Sequence, residues 1–329
     1  MTKVLLMGTM PPPTGGVTIH IDRFLHYEQD MCHLAVLDIK KQTLFFKDKK
    51  IKSILEIVRY FLSASIVHIH ISNKTKIVMA IVARIFLKKV VYTHHNSRIK
   101  NKTEWKLINM LSHKIILVND KSIDKSMIHP QKTTIIPAFL PPKNMEKLPS
   151  YILDTLSKYD SIISTNCSIF TLYENKDLYG FDLIVDAFYN LCQTKKLDNT
   201  LLVLVDPSGT AKTHVETLTE KRDFGANEIL YINKKIDFVS LLKMSSLTIR
   251  ATRTDGDSIS IRESLYFNVP IIASDVTWRP EGTIIFENEN IEDLENKIFD
   301  TLKNKNKFKY DNENYAQKII DLYKEILDV

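Results

Sequence analysis

The stretch Thr254-Asp255-Gly256-Asp257-Ser258-Ile259-Ser260-Ile261-Arg262-Glu263 gathers three carboxylates, three hydroxyls and a glycine within ten residues. Read as a strand-to-helix turn, it lets Ser258 or Asp257 cap the helix, so that the first amides point outward and can hold an anion or hydroxyl groups. Gly256 allows the backbone to come close to a ligand. Asp255 stands at the helix entrance and Glu263 about a turn and a half inside it. Such a carboxylate accepts two hydrogen bonds, which suits the vicinal hydroxyls of a sugar ring. The plainer alternative is an N-cap followed by a solvated helical Glu.

Other constellations carry less. Asp255-Gly-Asp257 is formally a D-x-D metal–nucleotide signature, but that signature belongs to a single-sheet fold. His68-x-His70 and His94-His95 resemble ligand spacing, yet no carboxylate completes a pattern and buried strand histidines are commoner, so no metal is expected. The eight glycines form neither G-x-G-x-x-G nor a P-loop, and no G-x-S-x-G elbow occurs. Cys32, Cys167 and Cys192 are widely spaced. They point to a reducing cytoplasm rather than to a disulfide framework or zinc ribbon.

Short β-branched runs alternate with longer helical patterns, the grammar of parallel α/β sheets. In the first half, strands are expected over 4–8, 34–39, 66–71, 89–93, 115–119 and 133–136. Helices are expected over 18–27, 51–62, 75–86 and 103–111. The breaker cluster Ile136-Pro-Ala-Phe-Leu-Pro-Pro142 ends this half, and 143–158 reads as a linker. The second half places strands over 161–166, 201–206, 229–232, 247–250 and 270–274, with helices over 181–192, 237–244, 258–267 and 291–303. A last amphipathic stretch over 314–327 aligns Ile319, Ile320, Tyr323, Ile326 and Leu327 on one face. At roughly 150 residues per domain, 329 residues make two domains. Their bounds are expected at 1–145 and 158–310, with 311–329 as a terminal helix. Two such sheets facing one another would leave a cleft at their carboxyl strand ends.

Charge divides along the same line. Residues 1–150 hold 24 Lys+Arg against 10 Asp+Glu, and the remainder 21 against 29. The basic half is drawn to something anionic, a membrane surface or a diphosphate. Lys40, Lys41, Lys47, Lys49, Lys50 and Lys52 lead into the helical pattern 51–62. The plainer reading is a core helix with a solvated lysine face; the alternative is a basic amphipathic helix on an anionic bilayer. The longest apolar run, 77–87, is interrupted by Arg84 and falls well short of the roughly 20 residues a span needs. The apolar start at Val4–Met7 reads as a buried strand rather than a signal-peptide core.

Asp255-x7-Glu263, followed by Asn268-Val-Pro-Ile-Ile-Ala-Ser-Asp275, resembles the E-x7-E region of the retaining GT-B glycosyltransferases of family 4. The likeness extends through Arg250-Ala-Thr-Arg and Trp278-Arg-Pro-Glu-Gly-Thr-Ile-Ile-Phe286, in the style of the bacterial surface-polysaccharide branch. Tyr179-Gly-Phe-Asp-Leu-Ile-Val-Asp-Ala-Phe188 is similar to its "KGxDxLIEAF" helix. Gly15-Gly16-Val-Thr-Ile-His20 is similar to its glycine loop, Tyr92-Thr-His-His-Asn96 to its "TxH" segment, and Ile136-Pro-Ala-Phe139 to its domain-closing turn. The resemblance implies an α/β GT-B fold of two Rossmann-like parallel-sheet domains, with the last helix crossing back to the first.

The resemblance also implies roles. Glu263 would bind ribose hydroxyls, and Asp255 would contact the transferred sugar. The amides of Gly256, Asp257, Ser258, Ile259 and Ser260 would hold sugar or diphosphate. Gly15 and Gly16 would approach the diphosphate, and His95 would bond the donor sugar near its anomeric centre. One departure concerns charge: Tyr179 occupies the position of the family's Lys, and residues 166–176 contain no Arg. Lys176, Arg250, Arg253 and Arg262 are the replacements, Arg250 first. The expected reaction is retaining transfer from a nucleotide diphosphate sugar, UDP-sugar favoured, with no metal or other cofactor. The expected acceptor is a glycan or a polyprenyl-diphosphate-linked acceptor, reached from the cytoplasm at the inner face of the cell membrane; nucleic acid is not expected. The rivals are a nucleotide-sugar epimerase or hydrolase on the same frame, and a non-catalytic nucleotide-sugar-binding subunit of an assembly complex.

Overall fold

Strand β1 (Thr2–Met7) buries Val4, Leu5 and Leu6 completely, because helices cover both faces of a parallel sheet and its strands become continuous apolar runs. This computed structural model describes residues 2–13, 15–27, 32–47, 49–96, 98–120, 123–143, 145–304 and 315–327. The chain folds as two compact units, Met1–Pro142 with Glu313–Val329, and Lys143–Asn312.

The first unit continues with α1 (Gly16–Leu25), β2 (Cys32–Asp38), β3 (Thr43–Phe45), β4 (Lys50–Ile51), α2 (Ile54–Ser63) and β5 (Ile66–Ile69). It then adds α3 (Thr75–Ile85), β6 (Lys89–His94), α4 (Lys102–Leu111), β7 (Lys114–Leu117) and β8 (Thr133–Ile135). Its sheet runs β4-β3-β2-β1-β5-β6-β7-β8. Neighbouring strands are parallel except in the β2–β3 and β3–β4 pairs, so β3 alone runs against the sheet at one edge. That edge hairpin occupies part of the lysine-rich stretch that leads into 51–62, where no strand was expected; the buried Leu44 and Phe45 pin it.

The second unit holds α5 (Ser150–Leu156), β9 (Ser161–Asn166), a small hairpin of β10 (Leu172–Tyr173) and β11 (Lys176–Asp177), α6 (Phe181–Gln193) and β12 (Thr200–Val205). There follow α7 (Lys212–Thr219), β13 (Glu228–Ile232), α8 (Phe238–Leu242), β14 (Leu247–Arg250), α9 (Ile259–Tyr266), β15 (Ile271–Ser274), β16 (Ile284–Phe286) and α10 (Ile291–Lys303). Its sheet is parallel in the order β13-β12-β9-β14-β15-β16. In order of appearance this is 3-2-1-4-5-6, the doubly wound arrangement whose direction reverses between the first and fourth strands, here β9 and β14.

Two expectations need correcting. The stretch read as a linker contains α5, which buries Ile152 and Leu156 beside Leu148, Ile162, Leu201 and Leu241. Its seven residues offer one i, i+4 apolar pair, too little to register as helical periodicity. Helix α2 packs Ile57, Tyr60 and Phe61 on the core as expected, but its outer face is apolar instead of a solvated lysine face. Tyr60 is its buried residue, while Ile54 and Leu55 are 76% and 82% exposed, and Val58 and Leu62 are also exposed.

Helix α11 (Tyr315–Leu327) belongs to the first unit. It buries Ile319, Ile320, Tyr323 and Ile326. The Tyr323 ring lies 6.2 Å from that of Phe24, its hydroxyl lies 2.5 Å from His68 Nδ1, and Lys114 pairs with Glu325 at 2.6 Å. In the second unit, Gly180 has φ +70°, and an added Cβ would sit 2.2 Å from the Ala251 carbonyl oxygen. Glycine there is required both by the left-handed backbone and by the approach of α6 to the end of β14. Asp177 secures the same corner by accepting from the Tyr179 and Phe181 amides at 2.8 and 2.7 Å.

Candidate functional site

At the reversal point of the second sheet, the carboxyl end of β14 delivers Arg250 and then Thr252 and Asp255. Asp255 is held from several sides. Arg250 donates from Nε at 3.1 Å and Nη2 at 3.3 Å, Arg279 from Nη1 at 2.9 Å, and Thr252 from Oγ1 at 3.2 Å. The Gly256 N–H adds a bond of 3.0 Å. Arg279 is itself fixed by donating from Nε to the Ser274 carbonyl at 2.9 Å, and the Ser274 hydroxyl donates to the Thr252 carbonyl at 2.6 Å. The ends of β14 and β15 are thereby tied together. Burial alone would push the Asp255 carboxyl up, but Arg250 and Arg279 outweigh it and hold it down at about 2. Burial pushes Arg279 down from its ordinary value, against the attraction of Asp255. Two guanidiniums facing one carboxylate leave this cluster with a net positive charge.

Tyr179, which stands where the resemblance expects a lysine, backs Arg250. The Arg250 guanidinium lies 5.3 Å from the centroid of the Tyr179 ring, and the Tyr179 hydroxyl is 2.8 Å from Ser168 Oγ. An aromatic face supports a guanidinium by stacking and cation–π attraction. The other proposed cations are engaged elsewhere. Arg253 grips Asp182 with two bonds of 2.9 Å, reaches Glu289 at 2.6 Å and donates to the Asp177 carbonyl. Arg262 pairs with Asp257 at 2.7 Å. Lys176 lies on the β10–β11 hairpin, half exposed and paired with Glu289 at 2.6 Å, and is not brought to Asp255.

Ser258 occupies the N-cap position of α9 but makes no capping bond; its hydroxyl meets Ser260 Oγ at 3.0 Å instead. Asp257, the other expected cap, is turned to Arg262. The capping expectation therefore fails for the Ser258 side chain. Glu263 is 5% exposed on the second turn of α9.

In the first unit, Gly15 precedes α1 and its N–H donates to Thr18 Oγ1 at 2.9 Å; Gly16 opens the helix. His95 follows β6, partly exposed, with Nε2 2.9 Å from His70 Nδ1. His94 is buried, between the Tyr92 hydroxyl and the Arg98 carbonyl at 3.2 Å each. His20, on the buried face of α1 with Ile21 and Phe24, joins His70 and His95. Sequence reasoning missed two of these participants. Arg279 follows β15 by five residues and lies 24 residues beyond Asp255 in sequence, and only the sheet order makes them neighbours. His20 had a usable signal, its place one residue before Ile21 and four before Phe24 on a helical stripe.

The architecture is an α/β fold of the GT-B type, built on two Rossmann-like parallel sheets. Residues 170–319 match the family model described as glycosyl transferases group 1. No curated protein sequence matches the chain. Among solved structures, the chain is similar to Anabaena HepE in complex with UDP, with a TM-score of 0.66, 14% identity and coverage of 99% of this chain and 100% of that one. It is also similar to a glycosyltransferase from Rickettsia africae, with a TM-score of 0.65, 18% identity and coverage of 99% and 98%. A third is a candidate UDP-N-acetylglucosamine 2-epimerase from Listeria monocytogenes, with a TM-score of 0.65, 17% identity and coverage of 99% and 96%. At these identities the likeness establishes the fold.

Proposed function

We propose that the protein is a retaining glycosyltransferase that moves a sugar from a nucleotide diphosphate sugar, UDP-sugar favoured, to a hydroxyl of a lipid-linked glycan in surface-polysaccharide assembly. The observation that carries this is the Arg250–Asp255–Arg279 cluster at the reversal point of a doubly wound sheet, within residues matching the group 1 family. Arg250 and the leading amides of α9 supply the positive potential that a departing diphosphate requires, usually the largest catalytic contribution. Asp255 has its acceptor sites filled by five donors, so in this mechanism it positions Arg250 and Arg279 instead of accepting from the sugar. Glu263 takes the ribose hydroxyls.

Added Cβ atoms at Gly15 and Gly256 would meet nothing within 4 Å, and neither residue has a left-handed φ. The fold itself makes no demand for glycine at these positions, which favours close approach of a ligand to Gly15 in the first unit and, taken by itself, to Gly256 in the second. His95 is assigned to the donor sugar. In the reaction the bond from the anomeric carbon to the diphosphate oxygen breaks while the acceptor oxygen bonds on the same face. The acceptor proton passes to the departing phosphate oxygen, so the transfer step uses no metal.

Ile54, Leu55, Val58 and Leu62 of α2 are exposed, as are Val78, Ile81 and Ile85 of α3 and Phe86 just past its end, and Phe61 of α2 meets Phe86 edge-on at 5.5 Å. Lys49, Lys50, Lys52, Arg59, Lys74, Lys88 and Lys89 surround them in sequence. Apolar groups within a basic border suit an anionic bilayer, where a lipid-linked acceptor resides. No helix among the described residues is long and apolar enough to cross a membrane. The test is transfer from a panel of UDP-sugars to a polyprenyl-diphosphate glycan, followed by the anomeric configuration of the product. A product formed with no acceptor would favour the epimerase or hydrolase reading, which the likeness to the Listeria protein keeps as the second choice. Donor binding without turnover would favour the non-catalytic subunit.

A further inference from the structure

The first sheet also reverses direction, between β1 and β5, and His20, His70 and His95 converge beside that point. One ligating nitrogen from each of the three lies within 4.8 Å of the others. His20 and His70 are 2% and 5% exposed, and the Nε2 atoms of both are buried with no hydrogen-bond partner. An unsatisfied buried polar atom costs about 1–3 kcal/mol, so two on adjacent rings call for a shared partner. His68 stacks 4.1 Å from His70 and provides the contrast, since its two nitrogens are taken by the Tyr323 and Thr93 hydroxyls.

His20 is held as a ligand is held. His20 Nδ1 lies 2.7 Å from the Ala138 carbonyl, which fixes the proton on Nδ1 and leaves Nε2 its lone pair. Such an outer hydrogen bond orients most metal-bound histidines. Burial favours the neutral ring in all three, the form that ligates. Zinc–nitrogen distances of about 2.0–2.1 Å imply tetrahedral nitrogens roughly 3.3 Å apart, so closing the widest gap takes about 1.5 Å of side-chain movement.

We propose that His20, His70 and His95 form a three-histidine site for a divalent transition cation of the zinc class. All-imidazole donors suit zinc, copper, nickel or iron and exclude magnesium or calcium. Three protein ligands, with the partly exposed His95 as one, leave the fourth tetrahedral position open to water or an oxygen ligand. The site lies within the first unit and does not depend on the sugar-transfer reading.

The test uses the tag-free full chain after chelator treatment, titrated with Co²⁺ by visible absorbance and with Zn²⁺ by calorimetry. The expected result is one ion per chain, a tetrahedral Co²⁺ spectrum and its displacement by Zn²⁺. Affinity should fall at least tenfold in His20→Ala, His70→Ala and His95→Ala and remain unchanged in His33→Ala, an exposed histidine outside the cluster. Because His20 and His70 are core residues, thermal melts qualify those two variants, and the more exposed His95→Ala keeps the test decisive if they fail to fold. No uptake, an octahedral spectrum, or affinity unaltered by His95→Ala would overturn the proposal, whatever the transfer assay reports.

Discussion

Replacing Asp255 with Asn removes the counter-charge between two buried guanidiniums while keeping the side chain's size. The ordinary carboxyl value of 3.8 falls to about 2 in the folded protein, a preference for the ionised form of roughly 2–2.5 kcal/mol at 1.36 kcal/mol per unit. Breaking a buried pair by removing one partner costs about 3–5 kcal/mol. The expected loss is therefore about 3 kcal/mol, toward the lower end. For a unit of this size, 1 kcal/mol moves Tm by about 2–4 °C, so its transition should drop by roughly 6–12 °C in calorimetry. The acid side gives a second signature. A folded value below the unfolded one means that the native state binds fewer protons. The stabilisation is fully present above about pH 4 and is lost as pH falls toward 2. In Asp255→Asn that slope should flatten. Adding Arg279→Met should restore part of the lost stability, because the second unpaired charge is then gone. A Tm within about 1 °C of the parent, or an unaltered acid slope, would refute the reasoning that the arginines hold Asp255 ionised.

Arg250→Ala should lower kcat by about 10²-fold with little change in Tm relative to Asp255→Asn, and Arg250→Lys should not rescue it, because an ammonium cannot stack on Tyr179 while bridging Asp255; steady-state kinetics on the UDP-sugar decides. Glu263→Ala should weaken nucleotide binding about tenfold by calorimetry, and unchanged affinity would remove the ribose assignment. Replacing the Lys40–Lys52 basic residues with Gln should release the protein from anionic vesicles, as should Leu55→Ser with Ile54→Ser; salt-sensitive binding that persists in both would place the membrane face elsewhere.

Much of the scaffold was legible because parallel strands buried on both faces write themselves as unbroken apolar runs. Leu201–Val205 and Ile271–Ala273 are of this kind, and neither leaves an exposed side chain. Helix α5 and the β3–β4 hairpin were not legible, since each is shorter than the period that would announce it. The turn from Arg250 to Glu263 stood out by composition. Its wiring did not: Asp255 meets Arg279 through the pairing of β14 with β15, a relation that no local spacing encodes. Tyr179 was visible as a departure, but its use as a platform for Arg250 depends on which strand follows β9 in space. The apolar face of α2 looked like core because periodicity reports amphipathicity and says nothing of what covers it.

The central claim is that the turn from Arg250 to Glu263 grips the donor. A crystal structure of the protein soaked with a UDP-sugar tests it most directly. The account predicts diphosphate oxygens within hydrogen-bond reach of Arg250 and the first amides of α9, with the ribose hydroxyls on Glu263. A nucleotide bound away from that turn, or one whose ribose leaves Glu263 untouched, would contradict it.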